Sequence, residues 1–377
     1  MITTLSLFFC LQTCGLFLFF YETIYIASAE KELYIFLFQN SRTGVSEPLT
    51  FPIEIVPMAK NPSRLALIIC TGLLLIFPSA HALTKNMVFR GGPAGGTFQQ
   101  VADAIETSPE SKTLSTLRVT AQPSAGSLEN LREVHAGQAD FGLVYSGHAY
   151  LGRNGLLQDD STPYDKVLAV ASLYGAPAQL VVRKGSGIKR VQDLKGKRVG
   201  VGTPGSGSFA NCELFLRHLG VWDAIIPVHL GYNEVALAFA NKQLDAFWLF
   251  TAFPNSAITI AARTTKIELL NLDAEARASG FYKKYPYFTP RTLPAGTYRG
   301  VSSTRSFQDS TLWVAGAEVP DEAVYHLLAA IYNKNGLRHM GQKIPVLKGM
   351  TRRSGTRGIV IPMHPGAVRF WKEKGLL

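Results

Sequence analysis

Cysteine is scarce in this chain: four residues in 377, at Cys10, Cys14, Cys70 and Cys212, too few for a disulfide framework at this length. Charge is sparse too, 17% against 47% hydrophobic residues, which excludes a disordered chain and a coiled coil. No run of basic residues is interleaved with aromatics, so the net charge of +11 does not describe a nucleic-acid surface. It fits an anionic small ligand. H-E-x-x-H, a Walker A loop, G-x-S-x-G and C-x-x-C are all missing. Metal hydrolysis, P-loop chemistry and a serine elbow therefore lack support, and neither cofactor nor metal is expected. The eight histidines are scattered, and His364, in Pro362-Met363-His364-Pro365-Gly366, reads as a turn residue rather than a ligand.

The N-terminal 82 residues look like targeting rather than fold. Residues 1–21 carry no charge and are apolar enough to cross a bilayer. A second unit opens at Met58, carries Lys60 and Arg64, runs apolar over 65–77 and ends in Ala80-His81-Ala82. A basic start, a short apolar core and an A-x-A site make 58–82 a secretory signal peptide cleaved after Ala82, so the mature protein is periplasmic. Two export segments in tandem suggest that translation starts at Met58 and that 1–57 is an extension ahead of the true start. A membrane anchor over 1–57 is the competing reading. Cys70 lies inside the apolar core behind Ile69, where a lipoprotein signal needs a small residue, so lipidation is not expected. Cleavage leaves Cys212 as the only cysteine.

From residue 83 on, short apolar strands alternate with amphipathic helical stretches, the pattern of an α/β fold with largely parallel sheets. Strands are expected at 87–89, 117–121, 141–145, 167–173, 179–183, 197–201, 225–230 and 246–250, with further ones at 266–272, 312–317 and 359–362. Helices are expected at 97–105, 127–136, 208–219, 236–241, 321–333 and 367–374. Two sheets without a Gly/Ser tether suit a pair of hinged lobes with a ligand between them.

Four strand ends carry small polar loops that open helices: 91–98, 124–127, 145–147 and 202–208. Glycine lets backbone N–H groups approach a ligand there, and a helix start presents partial positive charge. Ligands of open α/β sheets bind outside the carboxyl ends of strands, so such ends, rich in Ser and Thr, describe a carboxylate or phosphate site. The candidate binding residues are Gly95, Gly96, Thr97, Phe98, Ser127, Ser146, Thr203, Gly205, Ser206, Gly207 and Ser208. Tyr145, Phe209, Phe253 and Tyr298 are aromatics near these loops, of which Phe253 and Tyr298 join the set. Residues 200–205 match G-x-G-x-x-G, yet 225–231 lacks the acid that would hold a ribose and Pro204 removes an N–H from the cradle. A dinucleotide is therefore not expected.

These residues resemble the TAXI-type solute-binding proteins of TRAP transporters over essentially all of 87–377. The resemblance rests on the opening 91–97, Gly126-Ser127-Leu128-Glu129-Asn130-Leu131, the stretch 137–144, and 194–199 leading to Pro204-Gly205-Ser206-Gly207. Pro294-Ala295-Gly296-Thr297-Tyr298, Val319-Pro320-Asp321-Glu322 and His364-Pro365-Gly366-Ala367 complete it. It implies a two-lobed periplasmic binding protein, type II-like, each lobe a mainly parallel sheet flanked by helices, with lobe one at 83–182 plus 296–377 and lobe two at 183–295. The implied function is that of a monomeric, non-enzymatic receptor passing a small organic anion, glutamate-like or a dicarboxylate, to an ion-gradient-driven permease. Gly147 and Phe98-Gln99 depart from many such sequences. A ligand sensor for a signalling partner and an exported enzyme on the same fold are the alternatives.

Overall fold

The computed structural model describes residues 2–5, 22–29, 32–39, 49–53, 85–114 and 117–377. The chain falls into two compact parts, Met1–His81 and Ala82–Leu377. In the first, β1 (Ile2–Leu5), β2 (Glu22–Ala29), β3 (Glu32–Gln39) and β4 (Leu49–Ile53) form an antiparallel sheet in that order. Their Ile, Thr, Tyr and Phe content suits a pleated surface. The signal-peptide reading falls on 58–82, outside the described residues. Among the described residues, no helix is long and apolar enough to cross a membrane.

The second part is built on a ten-stranded sheet. Its strands are β5 (Lys85–Arg90), β6 (Leu117–Gln122), β7 (Phe141–Tyr145), β8 (Val167–Arg183) and β9 (Arg198–Gly200), followed by β10 (Ile226–Val228), β11 (Ala246–Phe250), β12 (Ile267–Leu269), β13 (Thr289–Leu293) and β14 (Thr304–Gly316). The order is β10-β9-β11-β8-β14-β7-β5-β6, with β12 on β8 and β13 on β14. The fold is α/β as expected. Pairings are parallel among β5, β6 and β7 and among β9, β10 and β11, whereas β8 and β14 pair antiparallel with every neighbour.

Strand β8 joins two half-sheets. From Val167 to Pro177 it pairs with β14, and from Ala178 to Val182 with β11. The sequence reading split it into 167–173 and 179–183, whereas the strand runs unbroken through Gly175 and Pro177. Proline is tolerated at a discontinuity of the ladder, and Pro177 sits where β8 changes partner. The strand expected at 359–362 is replaced by a single bridge, Ala169 to Met363.

Five helices matter for the site: α1 (Thr97–Glu106), α2 (Ser127–His135), α3 (Ser146–Arg153), α4 (Gly207–His218) and α5 (Tyr232–Ala240). In α1, Phe98, Val101, Ala102 and Ile105 are buried at helical spacing. Other helices, Ser256–Thr264, Leu272–Ala278, Asp321–Ile331, Lys334–Lys343 and Pro365–Glu373, flank the sheet. The core continues across both half-sheets: Phe89, Phe141 and Trp313 pack together, as do Phe215, Trp248, Phe281 and Phe307. His364 does act as a turn residue. It caps the helix after it, Nδ1 accepting from Gly366 N–H at 3.2 Å and Nε2 meeting the Val319 carbonyl at 2.9 Å.

Candidate functional site

Each half-sheet sends its strand ends into glycine-bearing loops, and each loop opens a helix. The first turns of four helices converge on one cavity of about 20 Å³, room for little more than a water-sized occupant. Its wall contains Gly96, Thr97 and Phe98 from the start of α1, Gly126 and Ser127 from α2, Ser206, Gly207 and Ser208 from α4, and Tyr232 from α5. Pro93, Ala125, Tyr145 and Thr251 complete it. Helix starts place unpaired N–H donors and partial positive charge around such a space.

The loop geometry explains why small residues are needed. A Cβ on Gly207 would lie 2.6 Å from the Tyr145 ring and 2.8 Å from Ser127 Cβ. A Cβ on Gly205 would lie 3.2 Å from Ala125 Cβ, and this glycine also has φ +79°, which L side chains resist. Two serines tie helix starts to strand ends in matching fashion. Ser127 Oγ accepts from Tyr145 N–H at 2.9 Å, and Ser208 Oγ accepts from Phe250 N–H at 3.0 Å. Ser206 Oγ caps α4 by accepting from Phe209 N–H at 3.0 Å.

Three hydrogen bonds join the half-sheets at residues of the cleft wall and its loops, and a fourth, from Gln158 Nε2 to Glu213 Oε1 at 3.1 Å, joins them at an exposed site. The Tyr145 hydroxyl donates to the Phe250 carbonyl at 2.6 Å, the Thr97 and Thr251 hydroxyls meet at 3.2 Å, and Glu129 N–H donates to the Gly205 carbonyl at 3.3 Å. Burial raises the Tyr145 phenol well above its ordinary range, so it stays a donor. His148 Nδ1 lies 2.9 Å from Ser127 Oγ. Burial pushes this imidazole down to about 3, so it is neutral and pairs with the Ser127 hydroxyl as a neutral hydrogen-bonding group. Asp309 is buried behind Tyr145, where its carboxylate accepts from Gly147 N–H at 2.8 Å and Ser310 N–H at 2.6 Å. Burial raises it to about 7.

The structure thus brings Gly96, Thr97, Phe98, Ser127, Ser206, Gly207 and Ser208 together, and the remaining candidates elsewhere. Gly95, at φ +80°, faces Asn233 and Tyr232. Ser146 is buried with its hydroxyl toward Asp309. Thr203 gives its carbonyl to Ser206 N–H at 3.1 Å. Gly205 adjoins the cleft but does not line it. Phe253 lies under the Arg291 guanidinium at 5.3 Å.

Tyr298 is the largest correction. It was expected near the polar loops, and it is 2% exposed inside the core of the β11 half. Its hydroxyl donates to Gln179 Oε1 at 2.6 Å and accepts from Asn255 N–H at 3.0 Å, and Gln179 Nε2 in turn donates to the Thr251 carbonyl at 3.2 Å. Tyr298 braces the turn that carries Thr251 rather than reaching the cleft. Sequence reasoning missed Tyr232 and Thr251 as lining residues. Both follow a strand end, Val228 and Phe250, and that placement was the available signal.

The G-x-G-x-x-G glycines serve shape. A Cβ on Gly200 would lie 2.6 Å from Val235 Cγ2, and Gly202 has φ +94°. Gly147 is filled over by Tyr287, whose ring would lie 2.4 Å from an added Cβ.

The sequence model of the NMT1-like family matches residues 89–375. Among solved structures, the periplasmic aliphatic sulphonate binding protein SsuA from Escherichia coli is similar at 14% identity and TM-score 0.43, over 76% of this chain and 83% of that one. MatC from Rhodopseudomonas palustris, with bound malate, is similar at 19% identity and TM-score 0.44, over 70% and 88%. A Streptococcus pneumoniae ABC uptake transporter substrate binding protein with bound histidine follows at 14% and 0.40, over 70% and 94%.

Proposed function

Given that the chain belongs to the NMT1-like family, we propose that it is an extracytoplasmic solute receptor that closes two lobes on a small organic anion. The observation that carries this reading is the convergence of four helix starts on one cleft whose walls come from both half-sheets. Helix N-termini favour negative charge. The proposed hinge lies where β8 changes partner at Pro177, ahead of the 182/183 boundary expected from the sequence, and Tyr298 and Val301, which pack in the β11 half, move the second boundary past the expected 295/296. With a cavity of only about 20 Å³, an organic acid enters after Tyr145 releases the Phe250 carbonyl and Thr97 releases Thr251. The bound acid then takes the space that these contacts fill in the empty cleft.

Export by the 58–82 signal and delivery to a TRAP-type permease rest on the sequence pattern and the TAXI-type motifs, as does a glutamate-like or dicarboxylate ligand. A thermal-shift screen of the full-length protein against organic acids, amino acids, sugars and cations tests the ligand class. A ligand at 100 times its Kd adds about 2.7 kcal/mol. Stabilisation by sugars or cations but by no carboxylate would overturn the anion reading.

A further inference from the structure

Across β7, β14 and β8, Tyr145, Thr311 and Tyr174 stand directly opposite one another, so their side chains share one face of the sheet. Tyr145 lines the cleft. The Tyr174 hydroxyl faces those of Thr311 and Thr97, and Thr97 lines the cleft as well. Tyr174 is 8% exposed and Thr311 is 0% exposed, yet both hydroxyls lack a well-formed hydrogen bond. A buried hydroxyl without a partner is costly, and here two lie beside the first turn of α1. Thr97, Thr251, Tyr145 and Tyr232 line the cleft itself, and Tyr174 and Thr311 stand one layer behind, against Thr97.

Charge is distributed differently. Among the described residues, no Lys, Arg, Asp or Glu lines the cleft. Two carboxyls stand close to the wall: Asp309, beside Tyr145 and Ser146, and Glu129, whose Oε2 would be 3.8 Å from a Cβ on Gly205. One anionic group is served by the helix starts. A second would lie against hydroxyls and toward Asp309, with no cation to offset its desolvation.

Resting on the receptor reading, the geometry points to a ligand with a single carboxylate and an uncharged hydrogen-bonding tail, such as an amide or hydroxyl, in preference to the dicarboxylates. The carboxylate takes the N–H groups of the helix starts, and the tail satisfies Tyr174 and Thr311.

Titration of the full-length protein with the isosteric pairs succinamate and succinate, and glutamine and glutamate, tests this. The expected result is that a half-amide binds about tenfold or more tighter than its diacid, the scale of one hydrogen bond gained against one carboxylate left without a partner. Equal or tighter binding of either diacid overturns the inference and leaves the receptor reading standing. No binding of any of the four at millimolar concentration also overturns it, and the receptor reading falls with it only if every acid in the wider screen is silent. Tyr174→Phe and Thr311→Val should each weaken the half-amide about fivefold or more while leaving the diacid unchanged, and Thr311→Ser should restore binding. Equal loss for both ligands in these variants would also overturn the assignment.

Discussion

At the residue scale, three side chains carry separable expectations. Ser206 Oγ takes the Phe209 N–H as a helix cap while its own hydrogen remains for the cleft that it lines. Ser206→Ala should therefore cost about 1 kcal/mol of stability and also weaken ligand binding about tenfold. Lowered Tm with wild-type affinity would reduce Ser206 to a cap alone. Tyr298→Phe leaves Gln179 Oε1 and Asn255 N–H without their shared partner inside the core. About 2 kcal/mol of stability should be lost, with affinity within about twofold because the hydroxyl never reaches the cleft. A large affinity loss at unchanged Tm in calorimetry would contradict that placement.

Asp309 supplies the pH dependence. Its carboxyl is raised from 3.8 to about 7 by burial, so between these values the native state holds a proton that the unfolded state has released. Stability from this group is present at low pH and lost as pH rises toward 7. His148, lowered from 6.5 to about 3, acts in the opposite sense: below 6.5 the unfolded state takes a proton that the native state refuses, so stability falls with pH there. Comparing Asp309→Asn with the wild type cancels the histidine. The Tm of the variant minus that of the wild type should grow from pH 4 to pH 7, and a flat difference would sink the assignment.

At the scale of elements, the strands and helices of residues 85–377 were largely legible, because apolar periodicity and glycine loops are local signals. Helix α1 and strand β7 appear within a residue of their expected bounds. Misread elements have identifiable causes. Strand β8 reads from sequence as two strands, 167–173 and 179–183, and its continuity rests on an exchange of partners at Pro177 that is not a local signal. Residues 145–147 were expected to open a helix of unassigned bounds, and helix α3 does start at Ser146, where the Asp309 carboxylate 162 residues away accepts Gly147 N–H. Gly207 does not have positive φ. Its constraint is contact with Tyr145 and Ser127. Gly207→Val should separate α4 from β7, lowering Tm and abolishing measurable ligand binding, while Gly137→Ala, where nothing lies within 4 Å, should leave binding intact and cost stability only through its φ of +71°.

At the scale of the whole molecule, closure depends on few contacts. The Tyr145 to Phe250 bond is the shortest of those crossing the cleft. Tyr145→Phe removes about 1 kcal/mol from the empty closed cleft, so Kd should fall about fivefold, with faster association and little change in dissociation. Stopped-flow binding measures both rates, and a change confined to dissociation would refute opening of the empty cleft as the step that Tyr145 controls.

The sequence by itself determined the α/β class, the polar loops at strand ends and the absence of recognisable catalytic motifs, since each is a property of neighbouring residues. Seven of its candidates, among them Thr97, Ser127 and Ser206, meet at one cleft. Only the tertiary structure decided which hydroxyls are already engaged: Ser127 and Ser208 hold strand ends 18 and 42 residues away. It alone buried Tyr298 against Gln179, and set Tyr174 and Thr311 side by side across strands far apart in sequence. Strand register and burial couple distant residues, and a polar group's partners follow from that coupling rather than from its neighbours along the chain.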